Sequence, residues 1–202
     1  MVESRAERIV EVPGGGFDVT ISRGGASRTQ RYDQVLVAIG RRPNTGDLGL
    51  EHTRVVVDDR GLIRTDETCR TDDERIFAIG DVTAGPMLAH KASREAKVAA
   101  EVIAGHPAAF DNRAIPAVVY TDPEIAWTGL TEREAEQQGT TVKVGRFPLS
   151  ALGRARSMGR SDGLVKVICD PESDLVLGVG IVGPQASELI AEGTLAVEMG
   201  AT

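Results

Sequence analysis

The sequence predicts a mixed fold, α/β in its first half and α+β in its second, and three observations predict it. Short β-rich runs broken by glycine pairs open the chain, and an apolar run that stops on Gly80 and Asp81 leads into an alanine-rich helix. After that helix, strands alternate with two further helices. Aromatic residues make up only 3% of the chain, so the core must rest on Val, Ile, Leu and Ala, which suits sheets covered by alanine-rich helices.

The elements follow in order. "AERIVEVP", the turn Gly14-Gly15-Gly16, "FDVTIS", the turn Gly24-Gly25 and "RYDQVLVAIG" read as a meander of three strands. "VVVDDRGLI" predicts one more hairpin around Asp58, Asp59, Arg60 and Gly61, and "RIFAIGDV" then predicts a buried strand. In the helix that follows, Ala89, Ala92, Ala96, Ala99, Ala100 and Ile103 share one face at helical spacing and form the predicted inward stripe. Lys91, Arg94, Glu95, Lys97 and Glu101 mostly fall on the other face, and Gly105 supplies the stop. Beyond it, "AVVYT", "VKVGRFPLS", "LVKVICD" and "LVLGVGIVG" are four strand candidates. The helix "TEREAEQQG" opens with Thr131 and Glu134 in capping-box spacing. The last helix places Ala186, Leu189, Ile190, Gly193, Ala196 and Val197 inward; it leaves Leu195 and Met199 beside Glu188 and Glu192, where a second buried surface such as a partner subunit would cover them, isolated exposed apolar residues being the competing account.

Composition excludes several classes. Thirty acidic against 23 basic residues give a formal charge of -7, which argues against a nucleic-acid partner. No apolar run approaches the roughly 20 residues that cross a membrane, so a cytoplasmic chain without a membrane partner is expected. Cys69 and Cys169 lie 100 positions apart, with no CxxC or metal spacing. His52, His90 and His106 form no metal motif, and a His at a helix start, such as His90, reads as a capping or packing residue.

Two apolar strands are expected to end alike, "VLVAIGRR" at Gly40 and "IFAIGDV" at Gly80, and open sheets hold their ligands at such edges. Arg41 and Arg42 follow the first, Asp81 the second. A carboxylate there accepts hydrogen bonds from hydroxyl groups and repels phosphate. The Gly85-Pro86 loop then delivers the helix start at Met87, Leu88, Ala89 and His90, whose free amides favour an electron-rich group. A flavin nucleotide combines both chemistries; a simple turn residue is the competing account of Asp81. "GVGIVG" at residues 178–183 matches GxGxxG, yet only 19 residues follow it, too few for a βαβ unit. It reads as a glycine-rich strand leading into a helix.

"VLVAIGRRPNT", "IFAIGDVTAGPMLAHKA", "IPAVVYTDPEIAWTGLTE" and "GVGIVGPQASELIAEG" occur in an order and spacing that resemble the flavin-dependent pyridine nucleotide disulfide oxidoreductases. The form "GPMLAHKA" is most similar to the members that oxidise dihydrolipoamide; glutathione and mercuric reductases resemble it less. Two departures are Ala96, where the family usually has glycine, and Thr128, where it usually has valine.

The resemblance implies an NAD-domain end at residues 1–46, the later part of an FAD domain at 47–113 and an α+β interface domain at 114–202. It implies FAD and NAD as cofactors, with Asp81 on the ribityl chain, Met87, Leu88, Ala89 and His90 along the flavin mainly through backbone, and Gly40 at NAD. It implies a homodimer that serves the lipoyl-bearing domain of a 2-oxoacid dehydrogenase complex, and no catalytic residue within these positions. The family's cofactor fingerprints, its cysteine pair and its His-Pro segment are not in this sequence, so the expectation is an internal part of such an enzyme. A noncatalytic dimerisation module and a related disulfide or mercuric reductase are the alternatives.

Overall fold

The computed structural model describes residues 3–202, and its contacts divide at Arg42 and Pro43 into two compact units. The first unit is the meander: β1 (Arg5–Glu11), β2 (Phe17–Arg23) and β3 (Ala26–Tyr32) form an antiparallel sheet in chain order. Arg23 pairs with Ala26 across the two-residue turn Gly24-Gly25, both at positive φ (56° and 83°), as a tight hairpin turn requires. Gly16 is required for a different reason: a Cβ there would stand 2.8 Å from the Tyr32 carbonyl oxygen.

The third strand departs from expectation. It begins earlier, at Ala26, and ends at Tyr32, so residues 35–40 are not a strand. Leu36 is 92% and Ile39 94% exposed. An apolar run becomes a buried strand only when neighbouring strands take up its amides and carbonyls, and among the described residues none pairs with this one.

In the second unit the "VVVDDRGLI" hairpin is present in its smallest form, one bridge between Val57 and Ile63 closed by a turn from Asp58 to Gly61. The expected strand at residues 76–79 is likewise reduced to one bridge, Arg70 to Phe77, before the chain enters a 3-10 turn at Gly80–Val82. Side-chain carboxylates hold these loops. Asp66 Oδ1 accepts from the amides of Thr68 and Arg70, and Asp58 Oδ1 from those of Arg60 and Leu62.

Helix α1 (Ala89–Ile103) forms and stops where expected, at Ala104 and Gly105, but it buries a different face. Its buried residues are Lys91, Glu95, Val98 and Ala99, while Ala89, Ala100 and Ile103 are exposed. Val98 and Ala99 pack with Cys69, Phe77, Val102 and Phe110 in a small core. Small alanines gain little from burial, so the larger Val98 and Val102 decide which way the helix turns.

The remainder is built on β4 (Ala117–Val119), β5 (Glu124–Gly129), α2 (Glu132–Gln138), β6 (Lys143–Pro148), the one-turn α3 (Gly153–Ser157), β7 (Leu164–Cys169), β8 (Val176–Gly183) and α4 (Ala186–Met199). The strands form one antiparallel sheet in the order β4-β5-β8-β7-β6. Strand β5 has no counterpart among the four predicted strands, because its buried residues are the small Ala126 and Thr128, while Ile125 and Trp127 face the open side. The capping box of α2 is present, with the Glu134 amide donating to Thr131 Oγ1 at 3.2 Å and the Thr131 amide to Glu134 Oε2 at 2.9 Å.

Helix α4 covers one face of the sheet, where Ala126, Ile181, Ala186 and Ile190 make the core. Its expected stripe holds at Ala186, Ile190, Gly193 and Val197, whereas Leu189 is exposed and Ala196 half-buried. The glycine-rich string forms strand β8, and α4 sits so close to it that a Cβ on Gly193 would stand 2.9 Å from Val179 Cβ. We expect Gly193→Ala to destabilise this unit by about 1–3 kcal/mol despite its better helix propensity. In a Val179→Ala background, which removes the two methyls but keeps the Cβ 2.9 Å away, the cost of the same change should shrink without vanishing; urea unfolding of the four variants measures both effects.

Candidate functional site

The candidate site is built on how Gly80 is held. Gly80 is buried at φ +79, and a Cβ on it would stand 3.2 Å from Ala92 Cβ, so the turn rests on α1 through a bare hydrogen. Side chains from α1 grip both of its backbone groups. The Gly80 amide donates to Glu95 Oε2 at 2.6 Å, and Lys91 Nζ donates to the Gly80 carbonyl at 3.0 Å. Lys91 and Glu95 pair at 2.9 Å, and both reach Thr83 Oγ1, at 2.9 and 3.3 Å. Lys91 is 3% exposed and Glu95 6%, so this cluster lies out of water. The glycine of the Gly85-Pro86 loop closes over the lysine stem: a Cβ there would come 3.1 Å from Lys91 Cε.

The turn fastened in this way carries Asp81, which is exposed, while Gly80 before it and Thr83 two residues on are buried. The chain then runs through Met87 and Leu88, both half-buried, to Ala89 and His90, both exposed at the start of α1. No side chain caps that start. The Leu88 amide donates to the Pro86 carbonyl at 2.9 Å, and the positive end of the helix dipole at this start favours an electron-rich group. An outward carboxylate that accepts from hydroxyls, beside donors that suit a polarised ring edge, fits a flavin with its polyol chain.

The His90 side chain is committed elsewhere: its Nε2 lies 2.7 Å from the Pro116 carbonyl, which agrees with a packing role for the ring. Gly40 belongs to the first unit, where it is exposed at φ +122 in the segment that is not a strand. Its amide therefore stands at no sheet edge among the described residues. Sequence reasoning did not find Lys91, Glu95 and Thr83. A signal was present, because Lys91 and Glu95 share a stripe with Val98 and Val102, the two valines of the helix.

The two cysteines are unlike. Cys69 is buried under α1 with its Sγ 3.6 Å from the Glu95 carbonyl, whereas Cys169 is partly exposed at the end of β7. Burial first, then the nearby Glu95 and Asp66 carboxylates, push the Cys69 thiol up from its ordinary value. Such a thiol is a poor nucleophile. Among the described residues no group of three or more His, Cys, Asp or Glu is placed to hold a metal ion, and no helix is long and apolar enough to cross a membrane.

Two profiles of one family match the chain. The "Pyridine nucleotide-disulphide oxidoreductase" profile matches residues 2–96, and the "Pyridine nucleotide-disulphide oxidoreductase, dimerisation domain" profile matches residues 115–202. The dihydrolipoyl dehydrogenase of Halobacterium salinarum is 57% identical over 170 residues, 84% of this chain and 36% of that protein. That of Thermus scotoductus is 55% identical over 181 residues, 90% of this chain and 39% of that protein. The crystal structure of LpdA from Mycobacterium tuberculosis superimposes with a TM-score of 0.88 at 30% identity, covering 98% of this chain and 43% of that one. The chain thus spans less than half the length of each of these proteins.

Alkylation should separate the cysteines. At pH 8 iodoacetamide is expected to modify Cys169 in the folded chain and to reach Cys69 only after unfolding, with mass spectrometry of digested samples as the readout. Because its thiol is held up by burial and acidic neighbours, raising the pH toward 9 should leave the native protection of Cys69 in place.

Proposed function

Because the chain belongs to the pyridine nucleotide-disulphide oxidoreductase family, we propose that it supplies one wall of the FAD site and the dimerising part of a dihydrolipoamide dehydrogenase. The observation that carries the reading is Asp81, held outward by a locked turn next to the uncapped start of α1. Asp81 accepts hydrogen bonds from the ribityl hydroxyls. The backbone at Met87, Leu88, Ala89 and His90 lies along the flavin, and the helix start stabilises negative charge at the ring edge. Gly40 approaches NAD. Residues 1–46, 47–113 and 114–202 then serve as the NAD, FAD and interface parts.

Bound FAD supplies a two-electron carrier between a dithiol and NAD. This chain's part is to bind, orient and exclude. Cys69 takes no part in thiol exchange, since it is buried beneath α1. The dithiol substrate is the dihydrolipoyl group of a 2-oxoacid dehydrogenase complex, and the setting is the cytoplasm. The names of the relatives support this substrate over glutathione or mercuric ion.

The test is a graft in which this chain replaces the matching segment of the Thermus scotoductus relative. The graft is expected to retain the visible flavin spectrum and to oxidise dihydrolipoamide with NAD. Asp81→Ala in the graft should weaken FAD binding by about tenfold or more, the scale of one hydrogen bond to a charged group. A graft that folds but carries no flavin, or one whose flavin is indifferent to Asp81, overturns the reading.

The dimer is proposed to use the apolar groups that α4 leaves in water, Leu189, Leu195 and Met199, the last 75% exposed. Leu195→Glu with Met199→Glu adds like charge to a stripe already holding Glu188 and Glu192. Light scattering should then report a monomer where the unaltered chain gives a dimer. A double variant that remains dimeric places the contact elsewhere.

A further inference from the structure

We propose that Lys91, Glu95 and Thr83 are positioning residues that set the backbone of the Gly80–Val82 turn, and through it the aim of Asp81, for the bound ligand. The proposal rests on the flavin reading of that turn. Its first support is hydrogen-bond accounting. The Lys91 ammonium has three protons and three acceptors around it: the Gly80 carbonyl at 3.0 Å, Thr83 Oγ1 at 2.9 Å and Glu95 Oε1 at 2.9 Å. Glu95 uses its second oxygen for the Gly80 amide at 2.6 Å. The Thr83 hydroxyl lies 2.9 Å from the Gly80 carbonyl, closing the ring. Every buried side-chain polar atom among the described residues has a partner.

The second support is that such a cluster is a poor device for stability alone. A buried ion pair is often no better than well-packed apolar side chains of the same volume, because both charges lose their water. Apolar side chains, however, cannot hold a peptide by its amide and its carbonyl together. Gly80 needs that hold. It has no side chain to pack, it sits at φ +79, and the next residue is exposed. The clamp on Gly80 thus supplies the rigidity that an outward carboxylate needs in order to accept hydroxyl donors without reordering its turn on binding.

The third support is placement. Lys91 and Glu95 lie one helical turn apart on the back of the helix whose start carries Met87, Leu88, Ala89 and His90. One rigid element therefore sets both the turn and the helix start, fixing their mutual geometry.

Two measurements test this. In the chain itself, amide hydrogen exchange at Gly80 should accelerate by about tenfold or more in Thr83→Val and in Glu95→Gln, while amides of strand β8 keep their protection. Thr83→Ser, which keeps the hydroxyl, should restore the unaltered rate. In the graft, Thr83→Val should weaken FAD binding by about tenfold and Thr83→Ser should leave it within about twofold, as fluorescence titration reads it. Unchanged exchange at Gly80 in both variants overturns the clamp. Faster exchange with unchanged FAD affinity, in a graft where Asp81→Ala does weaken binding, overturns its positioning role. If Asp81→Ala leaves FAD affinity unchanged, the flavin reading falls and takes the ligand of this proposal with it, whatever Gly80 does.

Discussion

A charged pair buried on the inner face of a helix is the constraint from which the middle of this chain takes its shape. Lys91 and Glu95 are both almost fully out of water, and breaking such a pair by removing one partner costs about 3–5 kcal/mol. Helix α1 cannot rotate to present its alanines inward without drawing both charges away from Gly80 and Thr83. The rotation that Val98 and Val102 favour is thus locked by one polar cluster, which also fixes the Gly80 backbone in its turn. The loops leading into it follow the same chemistry. Asp58 and Asp66 receive backbone amides, and Asp73 those of Arg54 and Arg75, where a sheet ladder would otherwise do so. Part of the acidic excess is therefore internal scaffolding and not a charged surface for a partner.

Local signals were legible in the sequence where the chemistry is local. Thr131 and Glu134 need only three residues of spacing to declare a helix start, and both reciprocal bonds form. Gly105 marks the end of α1 for an equally local reason. Burial is not local, and there the reading failed. Counting apolar residues put the alanines of α1 inward, because hydropathy assigns Lys91 and Glu95 to water by default. Their alignment with Val98 and Val102 held the correct answer, but only for a reader prepared to bury a charge. Strand β5 was hidden by the converse error: its larger apolar residues, Ile125 and Trp127, lie on the open face, and its buried ones are Ala126 and Thr128. The runs at 35–40 and 76–79 have strand composition without the pairing that a strand needs.

The string "GVGIVG" shows how one pattern can arise from two physical needs. In a dinucleotide fold its glycines admit a pyrophosphate. Here they admit protein. Gly178 pairs with Gly129, and a Cβ on either would collide with backbone, that of Leu130 or of Leu177. Gly180 stands between Trp127 and Lys166 in register, leaving the open face flat between an aromatic ring and a cation. On the covered face Gly193 lets α4 settle onto Val179. The small Thr128 fits beneath that helix, its hydroxyl 3.1 Å from the hydroxyl of Thr194. Close approach of helix to sheet is the shared requirement, and glycine satisfies it whether or not a nucleotide follows.

Within the second unit, helix α1 and the sheet are not independent. His90, at the start of α1, bonds through its ring to the Pro116 carbonyl, one residue before β4 begins. Two residues earlier the Ala114 amide donates to Glu198 Oε1 at 2.9 Å, near the end of α4. The short link between the two parts is thus held by α1 on one side and by α4 on the other. Helix α1 carries the turn clamp on its back, and α4 carries the exposed apolar stripe. Ala114 is thereby tied to α4 through Glu198, and Pro116 to the start of α1 through His90. The His90 ring serves that tether, so any ligand contact proposed for this residue falls to its backbone.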